Sequence, residues 1–207
     1  MNDFQKALQF RHACKIFDET KAIPSEQFNE ILDAGRMSPS SMGVEPTRLL
    51  VVRDRALREK LKDACWGQIQ LTSASEVVVL KCLLQSIIPP SNYINFMSFR
   101  RGKTDAEREK WVAMYKSMLD SKESCGVSVR HWVEKNSYLA GSTMMNYAAY
   151  LGIDSCAIEG FDDRAVNNAL GIDTFKECVS MILTFGYRIK EQQKRYRLSL
   201  DEIVEYK

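Results

Sequence analysis

The segment WVEKNSYLAGSTMMNYAAYLGIDSCAIEGFD, residues 132–162, decides the fold. Trp132, Val133, Asn136, Leu139, Ala140, Thr143, Met144, Tyr147, Ala148 and Leu151 recur at helical spacing and keep one stripe for about five turns. Gly152 stands where a helix closes on a left-handed residue. Asp154 to Ile158 then reads as a short strand, Glu159-Gly160 as a tight turn, and Asp162 to Leu170 as a helix closed by Gly171. So much small and apolar surface on one long helix calls for burial on more than one side, which a dimer interface would supply.

Upstream, Ser25 has the character of an N-cap, with Glu26 in the first turn and Phe28, Ile31, Leu32 and Gly35 at helical spacing before Pro39. Leu49 to Val52 reads as a buried strand, Ala56 to Cys65 as a helix, and the valine- and leucine-rich run Glu76 to Leu84 as the next strand. Ile87-Ile88-Pro89-Pro90 breaks it, and a polar, aromatic-laced stretch continues to about Gly126. Within that stretch Trp111, Met114, Tyr115, Met118 and Leu119 share one helix face, which suits either core or the cap of a ligand pocket. Glu177 to Phe185 is a third buried strand, and Lys190 to Arg197 is a basic tail. No repeat or linker divides the chain. The expectation is a single domain over residues 1–207, with about 87–126 as an insertion.

The composition excludes several classes of function. Of 207 residues, 29 are Lys or Arg and 27 Asp or Glu, so the net charge of +2 gives no case for a general nucleic-acid or membrane-surface binder. Any anion site must come from a few converging cations. The first residues lack the apolar core of a signal peptide, and Val77 to Leu84 is far shorter than the roughly 20 residues of a spanning helix, so a cytoplasmic location is expected. The six cysteines form no CxxC pattern and no Cys/His cluster, which points to free thiols rather than a zinc site.

Three segments look unlike scaffold. In Arg11-His12-Ala13-Cys14-Lys15-Ile16-Phe17, an extended chain would put Arg11, Ala13 and Lys15 on one face, two cations about a small residue, as an anion requires. In residues 37–46, Met37-Ser38-Pro39-Ser40-Ser41-Met42-Gly43-Val44-Glu45-Pro46, two prolines and a glycine fix a loop rich in hydroxyls. At Glu159-Gly160 the main chain can approach a ligand closely and aim its amides at it.

In this order the segments resemble the FMN-dependent nitroreductase family, over about residues 4–197. The family's Arg-x-Ser-x-Lys/Arg-x-Phe opening corresponds to Arg11–Phe17, and its Ala-Pro-Ser-Ser-x-Asn-x-Gln-Pro-Trp loop to Ser38–Thr47. Its Gly-x-Asp-Ser-x-Pro-Ile-Glu-Gly-Phe segment corresponds to Gly152–Phe161, and its closing basic pattern to Arg195-Tyr196-Arg197. The resemblance implies an α+β fold: a mostly antiparallel central sheet flanked by helices, with long dimer-interface helices and a C-terminal extension onto the partner subunit. It implies FMN as cofactor, NAD(P)H as electron donor, a small-molecule acceptor of the nitroaromatic or quinone kind, and a homodimer with shared active sites. Residues 87–126 would cap that site.

The resemblance also implies roles. Arg11, Arg195 and Arg197 would hold the FMN phosphate, with His12 and Ala13 alongside. Lys15 would lie at the N1/O2 edge of the ring, where negative charge develops on two-electron reduction. Ser40 and Ser41 would reach the flavin from the partner subunit, with Gly43 near the dimethylbenzene side of the ring. Gln68 and Gln70 would face the pyrimidine edge, and the main chain at Ile158, Glu159 and Gly160 would meet flavin N5. No side chain is expected as a catalytic acid or base. The chain departs from the pattern at Ala13 (for Ser), Gly43 (for Asn), Glu45 (for Gln), Thr47 (for Trp) and Ala157 (for Pro). The same fold also carries dehalogenation, enone reduction and flavin-binding sensors, so the resemblance leaves those alternatives open.

Overall fold

The structure is a computed structural model that describes all 207 residues. In chain order its elements are α1 (Asp3–Phe10), α2 (Ser25–Arg36), β1 (Thr47–Val51), α3 (Arg55–Ala64), α4 (Gln70–Ser73), β2 (Glu76–Leu83), α5 (Asn92–Phe99), α6 (Asp105–Ser124), α7 (Val129–Tyr150), β3 (Asp154–Ile158), α8 (Asp163–Leu170), β4 (Glu177–Gly186) and α9 (Leu200–Ile203). The four strands form one antiparallel sheet in the order β1-β2-β4-β3, an α+β arrangement.

The two central strands are apolar on both sides, as a sheet covered on both faces requires. Alternation then sorts the side chains. Val77 and Val79 of β2, with Val179 and Ile182 of β4, pack against Leu61, Ala64 and Cys65 at α3 and Val166 of α8. Val78 and Leu80, with Met181, Leu183 and Phe185, pack against Phe28 and Ile31 of α2 and Met144 and Ala148 of α7. A bulge between Leu80 and Lys81 keeps this sorting in register across the β2–β4 pair. At Gly141 of α7 a Cβ would lie 2.7 Å from Met181 Sδ, so a larger residue there would require the Met181 side chain to shift.

Several expectations shift. Ser25 is the first helical residue rather than the cap: Pro24, extended at ψ 136°, takes the cap position and no side chain caps the helix. The strand expected to be buried at Leu49–Val52 starts at Thr47 and is half-buried throughout, because β1 lies at the sheet edge with β2 as its one neighbour. The aromatic stripe of α6 is mainly core. Tyr115 and Leu119 are buried beside Trp132 and Val133, and Trp111 stacks on Tyr115 at 5.6 Å, while Met114 is exposed. Before α6, Ser91 caps α5 by accepting from the Ile94 amide. The ends of the long helix and of α8 follow expectation, with Gly152 at φ +74° and Gly171 at φ +65°. No helix is long and apolar enough to cross a membrane.

Candidate functional site

The site is built on the free edge of β3. Ala13 bridges Ser155 in parallel, and the Cys14 amide donates to Ser155 O at 3.0 Å. Extended backbone begins at Arg11, where α1 ends. Alternation then buries Cys14 and leaves Ala13 and Lys15 outward. Beyond β4 the chain turns back over this strip. Phe17 bridges Arg188, and Arg195 donates to the carbonyls of Leu8 (2.6 Å) and Gln9 (3.2 Å) at the end of α1. The two ends of the polypeptide thus meet. Between them is an open cleft of about 630 Å³ lined by Arg11, His12, Ala13, Lys15, Arg195 and Arg197, among others.

The cations of this cleft are unpaired, although Glu191 also lines it. None of Arg11, Lys15, Arg195 and Arg197 pairs with a carboxylate. Burial, and then the neighbouring charges of Arg195 and Arg197, push the Arg11 guanidinium below its ordinary pKa. Like charges held together without a counter-charge are what an anion would relieve.

His12 lines the same cleft, but its ring is engaged elsewhere. Nδ1 lies 3.4 Å from Phe10 O and 3.5 Å from Asp154 Oδ1. Asp154, buried at the start of β3, accepts from the Arg188 amide at 2.9 Å and from Arg188 Nε at 3.0 Å, and its other oxygen lies 2.6 Å from Nη2. The Arg188 guanidinium also lies over the Phe10 ring at 4.2 Å. This cluster fixes the tail to the sheet. Sequence reasoning missed it, since only the strand register brings positions 154 and 188 together.

The Glu159-Gly160 turn lies beside Gln68. Gln68 Nε2 donates to Gly160 O at 2.8 Å, and Gln70 Nε2 donates to Gln68 Oε1 at 3.1 Å. Gln70 Nε2 and Lys15 Nζ lie 3.8 and 3.7 Å from Cys156 Sγ. Lys15, Gln70, Gln68 and Gly160 are therefore one connected group. The main-chain amides of Glu159 and Gly160 donate to no acceptor in the protein. Ile158, in contrast, puts its side chain into the core, and only its main chain borders the turn. Two further residues shape this corner. Trp66, left-handed at φ +57° and largely exposed, leans so close that a Cβ on Gly160 would lie 2.9 Å from its ring, and Tyr138 donates to the Glu159 carboxylate. The Trp66-Gly67 dipeptide was the available signal for this turn.

Ser40, Ser41 and Gly43 are not brought to this cleft within one chain. They belong to a separate region, where Ser40 Oγ accepts from the Glu45 amide (3.1 Å) and Asn136 Oδ1 accepts from the Ser41 amide (2.7 Å). No three His, Cys, Asp or Glu side chains converge as a metal site. Burial pushes the Cys14 thiol up to about 11, which keeps it protonated and unreactive near neutrality.

Comparison with known proteins adds an independent line. The model of the nitroreductase family matches residues 8–187. A protein of Staphylococcus epidermidis assigned as an NAD(P)H nitroreductase is 38% identical over 211 residues, covering 97% of this chain and 94% of that one. Among solved structures, a nitroreductase of Bacillus subtilis superposes with a TM-score of 0.88 at 25% identity, over 99% of both chains. An NAD(P)H:FMN oxidoreductase of S. epidermidis gives 0.84 at 25% identity, covering 100% and 96%. A nitroreductase of Exiguobacterium sibiricum, solved in complex with FMN, gives 0.82 at 22% identity, covering 100% and 98%.

Proposed function

The chain belongs to the nitroreductase family, a family of oxidoreductase enzymes, and from that premise we propose that it uses FMN to carry hydride from NAD(P)H to nitroaromatic or quinone-like acceptors in two alternating half-reactions. One observation carries this reading. Cations from opposite ends of the chain meet without a counter-charge, beside a turn with two unsatisfied amides. Bound FMN supplies the redox chemistry, taking up and releasing an electron pair and a proton.

The protein's share is to bind, orient and polarise. Arg11, Arg195 and Arg197 would hold the phosphate, the guanidinium fork matching its oxygens. Lys15 would face the ring edge where negative charge accumulates, and a fixed cation there favours the reduced form. The Glu159 or Gly160 amide would donate to ring N5, and Gln68 and Gln70 would address the pyrimidine edge. Apart from Gln70, which is buried with its amide directed at Gln68 Oε1 and Cys156 Sγ, each group has donor capacity that the protein leaves unused, which is the fit an acceptor-rich ring needs.

A homodimer completes the site in this reading. Ser40, Ser41 and Gly43, separate from the cleft in one chain, would reach it from a second copy, and residues 87–126 would cap it. The apolar surface left open supports the pairing: Tyr138 and Leu139 of α7 and Leu198, Leu200, Ile203 and Tyr206 of the tail are all exposed. Six unpaired cysteines suit a reducing cytoplasm. The test is an absorption spectrum of the purified protein before and after anaerobic NADH or NADPH. The expected result is a flavin spectrum that bleaches with at least one nucleotide. A colourless protein that takes up no added FMN would overturn the reading.

A further inference from the structure

The loop Ser40–Glu45, tied by Ser40 Oγ and by Asn136 of α7, is also held by the insertion. Met42, Gly43 and Glu45 all have left-handed backbone, at φ +56°, +59° and +50°. Tyr93 of α5 donates its hydroxyl to Val44 O (2.8 Å) and Glu45 O (2.9 Å). Arg100 pairs with the Glu45 carboxylate at 3.0 Å, and Arg101 Nη2 donates to Gly43 O at 2.7 Å. A Cβ built on Gly43 would overlap the Arg101 guanidinium, 2.6 Å from Cζ. These contacts fall on two positions where the chain departs from the pattern it resembles, Gly43 for Asn and Glu45 for Gln. The space of one missing side chain is filled by an arginine, and the other change supplies that arginine's neighbour with a carboxylate.

Of the three arginines at this end of the insertion, Arg100 is neutralised by Glu45 and Arg108 by Asp105 at 2.6 Å, while Arg101 meets only a carbonyl. Its backbone is well anchored. The Arg101 and Gly102 amides both donate to Ser98 O, Arg108 Nε donates to Gly102 O, and Glu107 accepts from the Lys103 and Thr104 amides. An exposed guanidinium with no carboxylate partner, held by one hydrogen bond to Gly43 O, therefore occupies the place of the residue-43 side chain.

Resting on the FMN reading above, in which this loop enters the partner's site, we propose that Arg101 is a specificity-determining residue that selects acceptors bearing an anionic group, such as an aromatic carboxylate. Arginine suits this role because its planar fork meets a carboxylate with two parallel donors and stays charged at all working pH values. Gly43 is the permissive half of the device, since any side chain there would push the guanidinium away.

The test compares kcat/KM for 4-nitrobenzoate and 4-nitrobenzamide, which differ in charge, on the FMN-loaded full-length protein with NADH and with NADPH. The wild type should favour the benzoate, and Arg101→Gln should lower the benzoate-to-benzamide ratio about tenfold, the size of one charged hydrogen bond. Arg101→Lys, which keeps the charge but loses the second parallel donor, should retain part of the ratio, and Gly43→Ala should lower it. A purely structural role for Arg101 would depress both substrates together and leave the ratio unchanged, which overturns the inference. So does a change confined to the NADPH-to-NADH ratio, which would assign the charge to the donor's extra phosphate. A protein that binds no FMN or leaves 4-nitrobenzamide unreduced would overturn the underlying reading, and this inference with it. A flavin-loaded, active enzyme with an unchanged ratio would overturn the inference alone.

Discussion

Arg188 and Arg197 stand nine positions apart in the same tail, yet the fold treats them oppositely. Arg188 is tied to a buried carboxylate through its amide and its guanidinium and lies over an aromatic ring. Arg197 donates to the carbonyl of its own neighbour Tyr196 and meets no acid. Arg58 resembles Arg188, with its guanidinium spent on the carbonyls of Val52, Ala74 and Ser75. Arg11 resembles Arg197, and Arg195 stands between the two groups, giving Nη1 and Nη2 to the carbonyls of Leu8 and Gln9 but meeting no acid. A cation whose charge and donors are consumed inside the protein builds structure, and one left with both unspent is available to a ligand. In a chain of net charge +2 that division, rather than overall basicity, is what would make an anion site.

The largest expected effect lies on the structural side. Asp154→Ala would leave Arg188 half-enclosed without its counter-charge and the Arg188 amide without its acceptor. Breaking a buried pair from one side costs about 3 kcal/mol or more, because the remaining charge stays desolvated. Urea denaturation of the flavin-free protein should show that loss, with Asp154→Asn losing less because it keeps an acceptor. If Asp154→Ala unfolds at the wild-type midpoint, the pair is not what fixes the tail.

On the ligand side the pattern should invert. Arg197→Ala removes an exposed cation that the protein itself does not pair, so stability without flavin should change by less than about 0.5 kcal/mol. FMN affinity should fall by about tenfold or more, the usual worth of a charged hydrogen bond to phosphate. Equilibrium dialysis or fluorescence titration with FMN measures it. Full flavin retention in the variant would exclude Arg197 from the phosphate site.

This division was only half legible in the sequence. The strand at Asp154–Ile158, the long helix and its closing Gly152 could be read directly, because periodicity and a left-handed glycine are local signals. The clustering of Arg11 with Arg195 and Arg197 came only through the ordered resemblance, since no local pattern joins positions more than 180 apart. The Asp154–Arg188 pair depends on the β3–β4 register, in which Asp154 lies opposite Gly186 and so brings position 188 within reach. Gln68 was singled out, but its bond to Gly160 spans 92 residues and appears only when α3 and α8 pack side by side. The end of α5 was opaque for another reason. Arg101 matters through the empty place at Gly43, and an absent side chain leaves no mark on sequence pattern.

The smallest expected effect probes the border between the two groups, at His12. Burial first, and then the Arg188 charge, lower its pKa below the ordinary 6.5, with the Asp154 carboxylate opposing. The folded protein therefore binds fewer protons here than the unfolded chain once the pH drops below the ordinary value. The stability associated with neutral His12 is complete above about pH 6.5 and is lost as the pH falls from there towards the lowered folded value. A series of urea midpoints between neutral and mildly acidic pH should fall, and His12→Gln should flatten that slope without moving the neutral midpoint much. Removing the opposing carboxylate with Asp154→Asn should lower the His12 pKa further and steepen the loss. A slope that His12→Gln leaves unchanged would place the acid-sensitive group elsewhere, and would make His12 part of the cleft's ligand-facing surface rather than of the clamp behind it.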